Sequence, residues 1–243
     1  MRALIYGGCC VQNEFQREQV ILWARLARHL NPDTEILLLD AASAFDPGQF
    51  LPKELRIGLF RFSENVGHLS KGGGDGAGRT LVTGIETADA SNCDYAVHWG
   101  TDMLIAKPLK DVLYPMQRSF VAVAALPLNQ YQFPEWEFSV WSVQWARATN
   151  FVEKYGWNKI RGPYPTVPRP SLLKSYLPEW RLKALAGPDL FLLPLWGIRN
   201  DQNQVNVFNL HEHCPYEPPA WLHMFSDLRL AHRFLELNEI SLP

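Results

Sequence analysis

Apolar runs and helix-like stretches alternate along the first part of the chain. Short apolar runs bounded by turn residues predict buried strands at 3–6, 35–40, 56–62 and 95–99. Apolar residues at near-helical spacing predict helices at 14–30, which Asn31 and Pro32 end, and at 77–88. Strands that are apolar throughout and separated by helices are typical of parallel sheets. The pattern therefore predicts an α/β fold, with a mixed, mainly parallel sheet flanked by helices.

The rest of the chain has a less regular pattern. It predicts a strand at 120–126 and helices at 143–155, 178–186, 200–208 and from Ser226 to about Leu237. A proline-rich loop at 162–170 lies among these elements, but apolar and aromatic residues continue on both sides of it. We therefore expect a single domain over residues 1–243.

Composition excludes several classes of protein. The 243 residues are 47% hydrophobic and 20% charged, as in an ordinary globular protein with its own core. A net charge of -2 gives no basic stripe for nucleic acid, so no nucleic-acid partner is expected. The four cysteines have neither zinc nor disulfide spacing and predict reduced thiols in the cytoplasm. We expect neither a signal peptide nor a transmembrane segment, because no apolar stretch is long enough.

Polar side chains stand where predicted strands end. Asp40 ends the second strand, Asn65 follows the third, and Asp102 follows the fourth. Ligands of open α/β sheets bind beyond the carboxyl ends of the strands, so these residues predict a site there. Asp102 could present oxygens to a hard divalent cation, or it could simply cap a turn.

A glycine-rich loop lies between the third strand and the helix at 77–88. Residues 73–80 read G-x-x-x-x-G-R-T, which differs from a phosphate-binding P-loop by its missing lysine. The loop also does not follow its strand directly, so the sequence does not predict an NTPase. It predicts instead a loop beside a ligand site.

Residues 3–109 contain an Asn-x-Gly loop, an Arg-x-x-x-x-Gly-Ile-x-x-Ala helix, and a strand that enters an Asp-x-Asp-like turn, at Asn65, Gly67, Arg79, Gly84, Ile85, Ala88 and Asp102. With these motifs the stretch resembles the GT-A glycosyltransferases, in particular the inverting enzymes of family 2. The stretch from Asp102 to Leu109 is also similar to the segment after this motif in the family. One position departs from the pattern, because Gly100 stands where the first aspartate is expected.

The resemblance implies a role for particular residues. It places the nucleotide-sugar site in residues 1–110 and the acceptor site in residues 111–243. Donor binding would involve Asp40, Asn65, Gly67, Arg79, Thr101 and Asp102; alternatively, Asp40 is a solvated strand end and Arg79 a surface residue. Asp102 and His223 would bind a divalent cation, Mn²⁺ or Mg²⁺, with His211 and His213 as alternatives to the histidine.

The acceptor hydroxyl would need a base if the reaction inverts configuration. Residues 199–206 resemble a helix start found in GT-A enzymes of family 8, which makes Asp201 the first candidate base. Asp189 and Glu137 are the next candidates. Asp201 could alternatively serve only to stabilise a helix N-terminus.

These features together predict a glycosyltransferase. Its donor would be a nucleoside diphosphate sugar, UDP- or GDP-linked, and its acceptor a saccharide or another hydroxyl compound. A non-catalytic nucleotide- or sugar-binding protein is the alternative, supported by Gly100. A sugar-nucleotide pyrophosphorylase is less well supported, because its glycine loop is missing after the first strand. The expected location is cytoplasmic, with peripheral membrane contact left open.

Overall fold

The computed structural model describes residues 1–68, 73–119, 121–128, 133–159, 178–200, 204–213, 217–223 and 225–242. The strands in this part of the chain are β1 (Ala3–Cys9), β2 (Glu35–Asp40), β3 (Gly58–Arg61), β4 (Tyr95–Trp99), β5 (Met103–Ile105), β6 (Val123–Leu128), β7 (Phe133–Ser142), β8 (Leu190–Leu192), β9 (Gly197–Arg199) and β10 (Trp221–His223). The α-helices are α1 (Glu14–Leu30), α2 (Pro47–Phe50), α3 (Gly76–Ala90), α4 (Leu109–Arg118), α5 (Val143–Ala148), α6 (Phe151–Tyr155), α7 (Pro178–Ala186) and α8 (Leu228–Leu237).

The main sheet has seven strands in the order β3-β2-β1-β4-β7-β6-β8. Strands β1 to β4 are parallel, and β7 runs antiparallel to both of its neighbours, β4 and β6. A small sheet, in the order β5-β10-β9, stands beside it. The mainly parallel sheet flanked by helices confirms the predicted fold class.

Two apolar clusters cover the two faces of the main sheet. Helices α1 and α8 and the small sheet contribute to one cluster, and α3, α5 and α6 contribute to the other. Helix α1 begins where the Asn13 side chain accepts a hydrogen bond from the Gln16 amide at 2.9 Å, which satisfies a free helix-end donor. Its inner face buries Trp23 against Trp99 of β4, edge to face, at a centroid distance of 6.5 Å.

Two predicted helices differ from the structure. The stretch 143–155 forms α5 and α6 rather than one helix, because Asn150 adopts a left-handed conformation with φ of 52° between them. The predicted helix at 200–208 is wrong within its described residues, where 204–206 have no regular structure and 207–209 form a turn. There the Asn200 side chain pairs with both backbone groups of Val205, at 2.9 Å each, and holds a loop instead of capping a helix.

Strand β7 comes from the second half of the chain, yet it pairs with β4 of the first half. Against β6, its register jumps between the pairs Ala125–Ser139 and Leu126–Glu135, so residues 136–138 bulge out of that ladder. Bulges of this kind often re-aim side chains next to functional sites. Here the bulge lies against the turn that follows β4, because the Gly100 amide donates to the Glu137 carbonyl at 2.7 Å.

Among the described residues, no helix is long and apolar enough to span a membrane.

Candidate functional site

A cleft of about 630 Å³ opens beyond the carboxyl ends of β1 and β4. Its walls come from the end of β1, the segments 65–68 and 73–77, the turn after β4, and the β7 bulge. This is the edge of the sheet at which the sequence predicted a ligand site. Five predicted site residues line the cleft together, namely Asn65, Gly67, Thr101, Asp102 and Glu137.

Small residues at the end of β1 let neighbouring elements approach the cleft closely. A Cβ atom on Gly7 would stand 2.6 Å from the Trp99 carbonyl oxygen, and one on Gly8 would stand 2.8 Å from Thr80 of α3. Thr101 joins the same cluster, because its hydroxyl donates to the Gly8 carbonyl at 2.8 Å. Thr101 is thus tied to the floor of the cleft by a backbone contact.

The Asn-x-Gly loop forms another part of the wall. The Asn65 side chain accepts a hydrogen bond from the Gly67 amide at 2.8 Å, and its own amide group donates to the Cys10 sulfur at 3.1 Å. Gly67 has a φ of 87°, which favours glycine because a side chain would be strained there. The loop is therefore shaped by its own sequence to lie against the end of β1.

Asp102 leads a chain of charged side chains that runs from the cleft into the protein. Its carboxylate lies 3.5 Å from His223 Nε2, and His223 Nδ1 lies 3.2 Å from Glu135 Oε2. Arg199 then contacts the same Glu135 oxygen at 3.3 Å. The Asp102 side chain is 43% exposed, whereas His223 and Glu135 are buried. The small sheet explains the arrangement, because His223 is paired with both Met103 and Arg199.

Contacts between opposite charges explain how the pKa values of Asp102, His223 and Glu135 are shifted. Burial alone would lower the pKa of His223, but the Asp102 and Glu135 carboxylates raise it well above its ordinary value. Burial would likewise raise the pKa of both carboxyl groups, but His223 lowers the pKa of Asp102, and His223 with Arg199 lowers that of Glu135. The acids are therefore ionised at neutral pH, with His223 positioned between them.

His98 of β4 lies under the cleft and is buried. Its Nδ1 lies 3.2 Å from the Trp136 carbonyl oxygen, which can only accept a hydrogen bond, so Nδ1 carries the proton. Its ring lies between the rings of Tyr6, at 5.4 Å, and Trp136, at 5.8 Å. Burial is the main cause that lowers the pKa of His98 to about 4, so the ring is neutral at pH 7.

Asp40 and Arg79 lie outside the residues that line the cleft. Asp40 is fully buried, accepts a hydrogen bond from the Ser43 amide at 3.0 Å, and contacts Arg61 at 3.2 Å. Arg79 donates to the Glu64 carbonyl at 2.8 Å, and its guanidinium lies over the Phe62 ring at 3.9 Å. Both side chains hold the polypeptide next to the cleft and do not line it.

The candidate bases lie in different places. Asp189 precedes β8, at the edge of the sheet opposite the cleft, and accepts a hydrogen bond from Trp145 Nε1 at 2.9 Å. That arrangement favours a structural role for Asp189. Glu137 lines the cleft, while Asp201 lies outside the described residues. His211 and His213 are exposed on a short 3-10 turn and do not line the cleft.

Sequence reasoning did not single out Glu135, Arg199 or His98. A signal for Glu135 was present, because residues 133–142 alternate polar and apolar positions in a way that is typical of a strand. Arg199 and His98 gave none, since a single charged or histidine residue at a strand end or inside a strand is ordinary. The pairing of β9 with β10 places Arg199 beside His223, and the pairing of β4 with β7 places His98 beside the β7 bulge.

No protein-family model and no curated protein matches this chain. Several solved structures of other proteins are similar to it. The glycosyltransferase GlyE of Streptococcus pneumoniae TIGR4 is similar over 99% of this chain and 60% of its own, with 13% identity and a TM-score of 0.54. The mannosyltransferase PcManGT of Pyrobaculum calidifontis, solved in complex with GDP-Man and Mn²⁺, covers 79% of this chain and 55% of its own, with 13% identity and a TM-score of 0.50.

TarS of S. aureus is similar over 98% of this chain and 38% of its own, with 10% identity and a TM-score of 0.50. This chain therefore spans at most about three fifths of these three proteins. At such identities the likeness concerns the fold, and it confirms the GT-A-type fold that the sequence predicted.

Proposed function

We propose that this protein transfers a glycosyl group from a nucleoside diphosphate sugar to an acceptor hydroxyl. The observation that carries the proposal is that Asp102, which lines a cleft at the carboxyl edge of a GT-A-type sheet, contacts the buried His223 behind it. The named glycosyltransferases with this fold support the reaction class. The residues around the pair then suggest how the donor would be held.

The donor diphosphate would lie between the first turn of α3 and Asp102. Gly76 and Ala77 line the cleft there, and the N-terminus of a helix favours negative charge. The nucleoside would lie along the wall formed by Cys10, Asn65 and Gly67. PcManGT was solved with GDP-Man, which supports GDP beside UDP as a donor nucleotide.

The side chains of Asp102 and His223 fit two corners of a divalent cation site. Two ligands at right angles on one Mg²⁺-sized ion stand about 3 Å apart, and the two facing atoms here are 3.5 Å apart. Glu135 contacts the other ring nitrogen of His223, which is the usual support for a metal-binding imidazole. When bound, the cation would offset charge on the leaving diphosphate.

The protein side of such a site would be incomplete by itself. Among the described residues, no group of three or more His, Cys, Asp or Glu side chains is arranged to bind a metal. Mn²⁺ and Mg²⁺ at transferase sites commonly take the remaining ligands from substrate phosphates and water. We therefore propose that cation and nucleotide bind together. The presence of Mn²⁺ in the PcManGT complex supports a cation of this class.

Asp201 remains the proposed base for an inverting reaction. It follows Asn200, whose backbone amide donates a hydrogen bond to the His223 carbonyl at 3.0 Å. Asn200 therefore lies next to the proposed cation site. In a retaining reaction no separate base is needed, and Asp201 would orient the acceptor. The acceptor itself would be a saccharide or another hydroxyl compound.

A non-catalytic nucleotide-binding protein is the second candidate, and Gly100 at the place of the first motif acid favours it. Transfer and binding can be separated by experiment. Calorimetric titration of UDP and GDP, each with and without Mn²⁺, is expected to show Mn²⁺-dependent binding of one nucleotide. Asp102→Ala should abolish that binding, while Asp111→Ala on α4, an acidic residue outside the cleft, should leave it unchanged.

Donor hydrolysis then distinguishes the two candidates. The transferase predicts slow release of free sugar from the matching sugar nucleotide, which Asp102→Ala eliminates. Binding without any turnover of the donor, with or without candidate acceptors, would favour the non-catalytic protein. Failure to bind either nucleotide would remove the basis of the proposed function.

A further inference from the structure

The position that lacks the first motif acid faces a carboxylate from another strand. Gly100 follows β4, and Trp99 at the end of β4 is paired with Phe138 of β7. The Gly100 amide donates to the Glu137 carbonyl at 2.7 Å, which fixes the two backbones against each other. Glu137 belongs to the bulged residues 136–138.

The Glu137 side chain fills the space that a side chain at position 100 would use. A Cβ atom built on Gly100 would overlap Glu137 Oε2 and stand 3.1 Å from Glu137 Cβ. Real Cβ atoms essentially never come within 3.0 Å of another heavy atom, so any larger residue at 100 would displace this carboxylate. Glycine at 100 is therefore explained by the position of Glu137.

The neighbouring acid on the same strand lies in a different environment. Glu135 is buried, and its carboxylate contacts Arg199 at 3.3 Å and His223 at 3.2 Å. Glu137, two residues along β7, is only half-buried and lines the cleft beside Thr101 and Asp102. The two glutamates thus have separate environments, one within the protein and one at the cleft.

We propose that Glu137 supplies, from β7, the second acidic group of the donor site that position 100 lacks. Its carboxylate would stand beside Asp102 and help to hold the divalent cation only once the nucleoside diphosphate is bound, because no three His, Cys, Asp or Glu side chains of the described residues form a metal site by themselves. This inference rests on the proposed function, because it requires the donor to bind in this cleft. It assigns Glu137 to donor binding rather than to deprotonation of the acceptor.

Isothermal titration of the intact protein with Mn²⁺ and UDP or GDP tests the assignment by binding, without reliance on turnover. Glu137→Gln is expected to weaken Mn²⁺-dependent nucleotide binding by about 10- to 100-fold, the range typical for lost support of a metal site. Glu236→Gln, on the exposed face of α8, is the matched control and should bind as the wild type does.

Two further variants keep the test informative if Glu137→Gln folds poorly. Gly100→Ala leaves Glu137 in the sequence but pushes its carboxylate away, so it should also weaken binding. The exchange Gly100→Asp with Glu137→Gly moves the acid from β7 to the turn after β4 and removes the close contacts that Glu137 would make at position 100. It should restore at least part of the Mn²⁺-dependent affinity. Circular dichroism melting of each variant checks the fold.

The outcomes separate this inference from the proposed function. Weakened binding in Glu137→Gln that the exchange restores supports the assignment. Wild-type affinity in Glu137→Gln, whether or not transfer is lost, would overturn it and leave the proposed function intact. Lost transfer with unchanged affinity would make Glu137 the candidate base instead. If the wild-type protein binds neither nucleotide, the proposed function fails and this inference fails with it.

Discussion

His98 is expected to make the stability of the fold depend on pH in the mildly acidic range. The histidine is buried under the cleft and neutral, with a pKa of about 4 instead of the ordinary 6.5. In the unfolded chain it takes up a proton near pH 6.5, whereas in the folded protein it does so only near pH 4. The unfolded state therefore binds more protons between these values, and stability is lost as the pH falls.

The size of the effect follows from the two pKa values. A difference of 2.5 between 6.5 and about 4 corresponds in full to roughly 3 kcal/mol. Over the range from pH 7 to pH 5, the loss from His98 alone is roughly 2 kcal/mol. His223 works in the opposite direction, since its raised pKa favours the protonated folded state, but most of its contribution is already present at pH 7.

Urea unfolding of the wild type and of His98→Asn, followed by circular dichroism at pH 7 and pH 5, isolates the effect. Asparagine can still donate to the Trp136 carbonyl but does not titrate. The variant is expected to be less stable at pH 7, because it loses ring contacts, and to lose roughly 2 kcal/mol less than the wild type between the two pH values. Equal losses in both proteins would refute the argument that His98 is neutral in the fold.

Three further substitutions test contacts that hold the cleft in place, each by urea unfolding at pH 7. Gly84→Ala places a Cβ atom inside the buried Tyr6 ring and should cost about 1–3 kcal/mol; an unchanged midpoint would mean that α3 does not pack this closely on β1. Thr101→Val removes the hydrogen bond to the Gly8 carbonyl and should cost about 1 kcal/mol, and a stabilised variant would contradict that contact. Glu135→Gln removes the carboxylate between two cationic side chains and should cost about 3–5 kcal/mol, whereas a neutral result would show that the buried chain of charges contributes nothing to the fold.

The parts of the fold that sequence predicted are those with a strong local pattern. The strands at 35–40 and 95–99 and the helix at 14–30 have the predicted bounds, because buried parallel strands are continuous apolar runs and α1 has a capped, periodic sequence. Strands β5, β9 and β10 have three residues each, which is too short for any periodicity. Their existence depends on pairing between residues that are far apart in the chain.

The residues of the candidate site were likewise predictable from sequence only in part. Asn65 and Asp102 could be placed at the cleft because ligand sites in parallel sheets follow strand ends, and the family resemblance added Gly67 and Thr101. The same rule named Asp40, which is buried and does not line the cleft. The structure brings His223 into contact with Asp102, and the cation site that the family resemblance implied for the two residues remains a proposal. The chain of charges through Glu135 and Arg199 could not be predicted, because alternation along residues 133–142 indicates a strand but not its neighbours, and Arg199 reaches His223 only through the pairing of β9 with β10.

The position of β7 in the main sheet has a consequence for the synthesis of the protein. Strands β1 to β4 are complete once residue 99 has been made, but β4 has no partner on its second side until residues 133–142 are available. During that interval, a growing chain exposes an open strand edge of the kind that pairs with other chains. The seven-stranded sheet is complete only after β7 has paired with β4 on one side and with β6 on the other. We therefore expect a chain cut near residue 110, which ends before β7 begins, to aggregate on expression and not to fold as an independent nucleotide-binding unit.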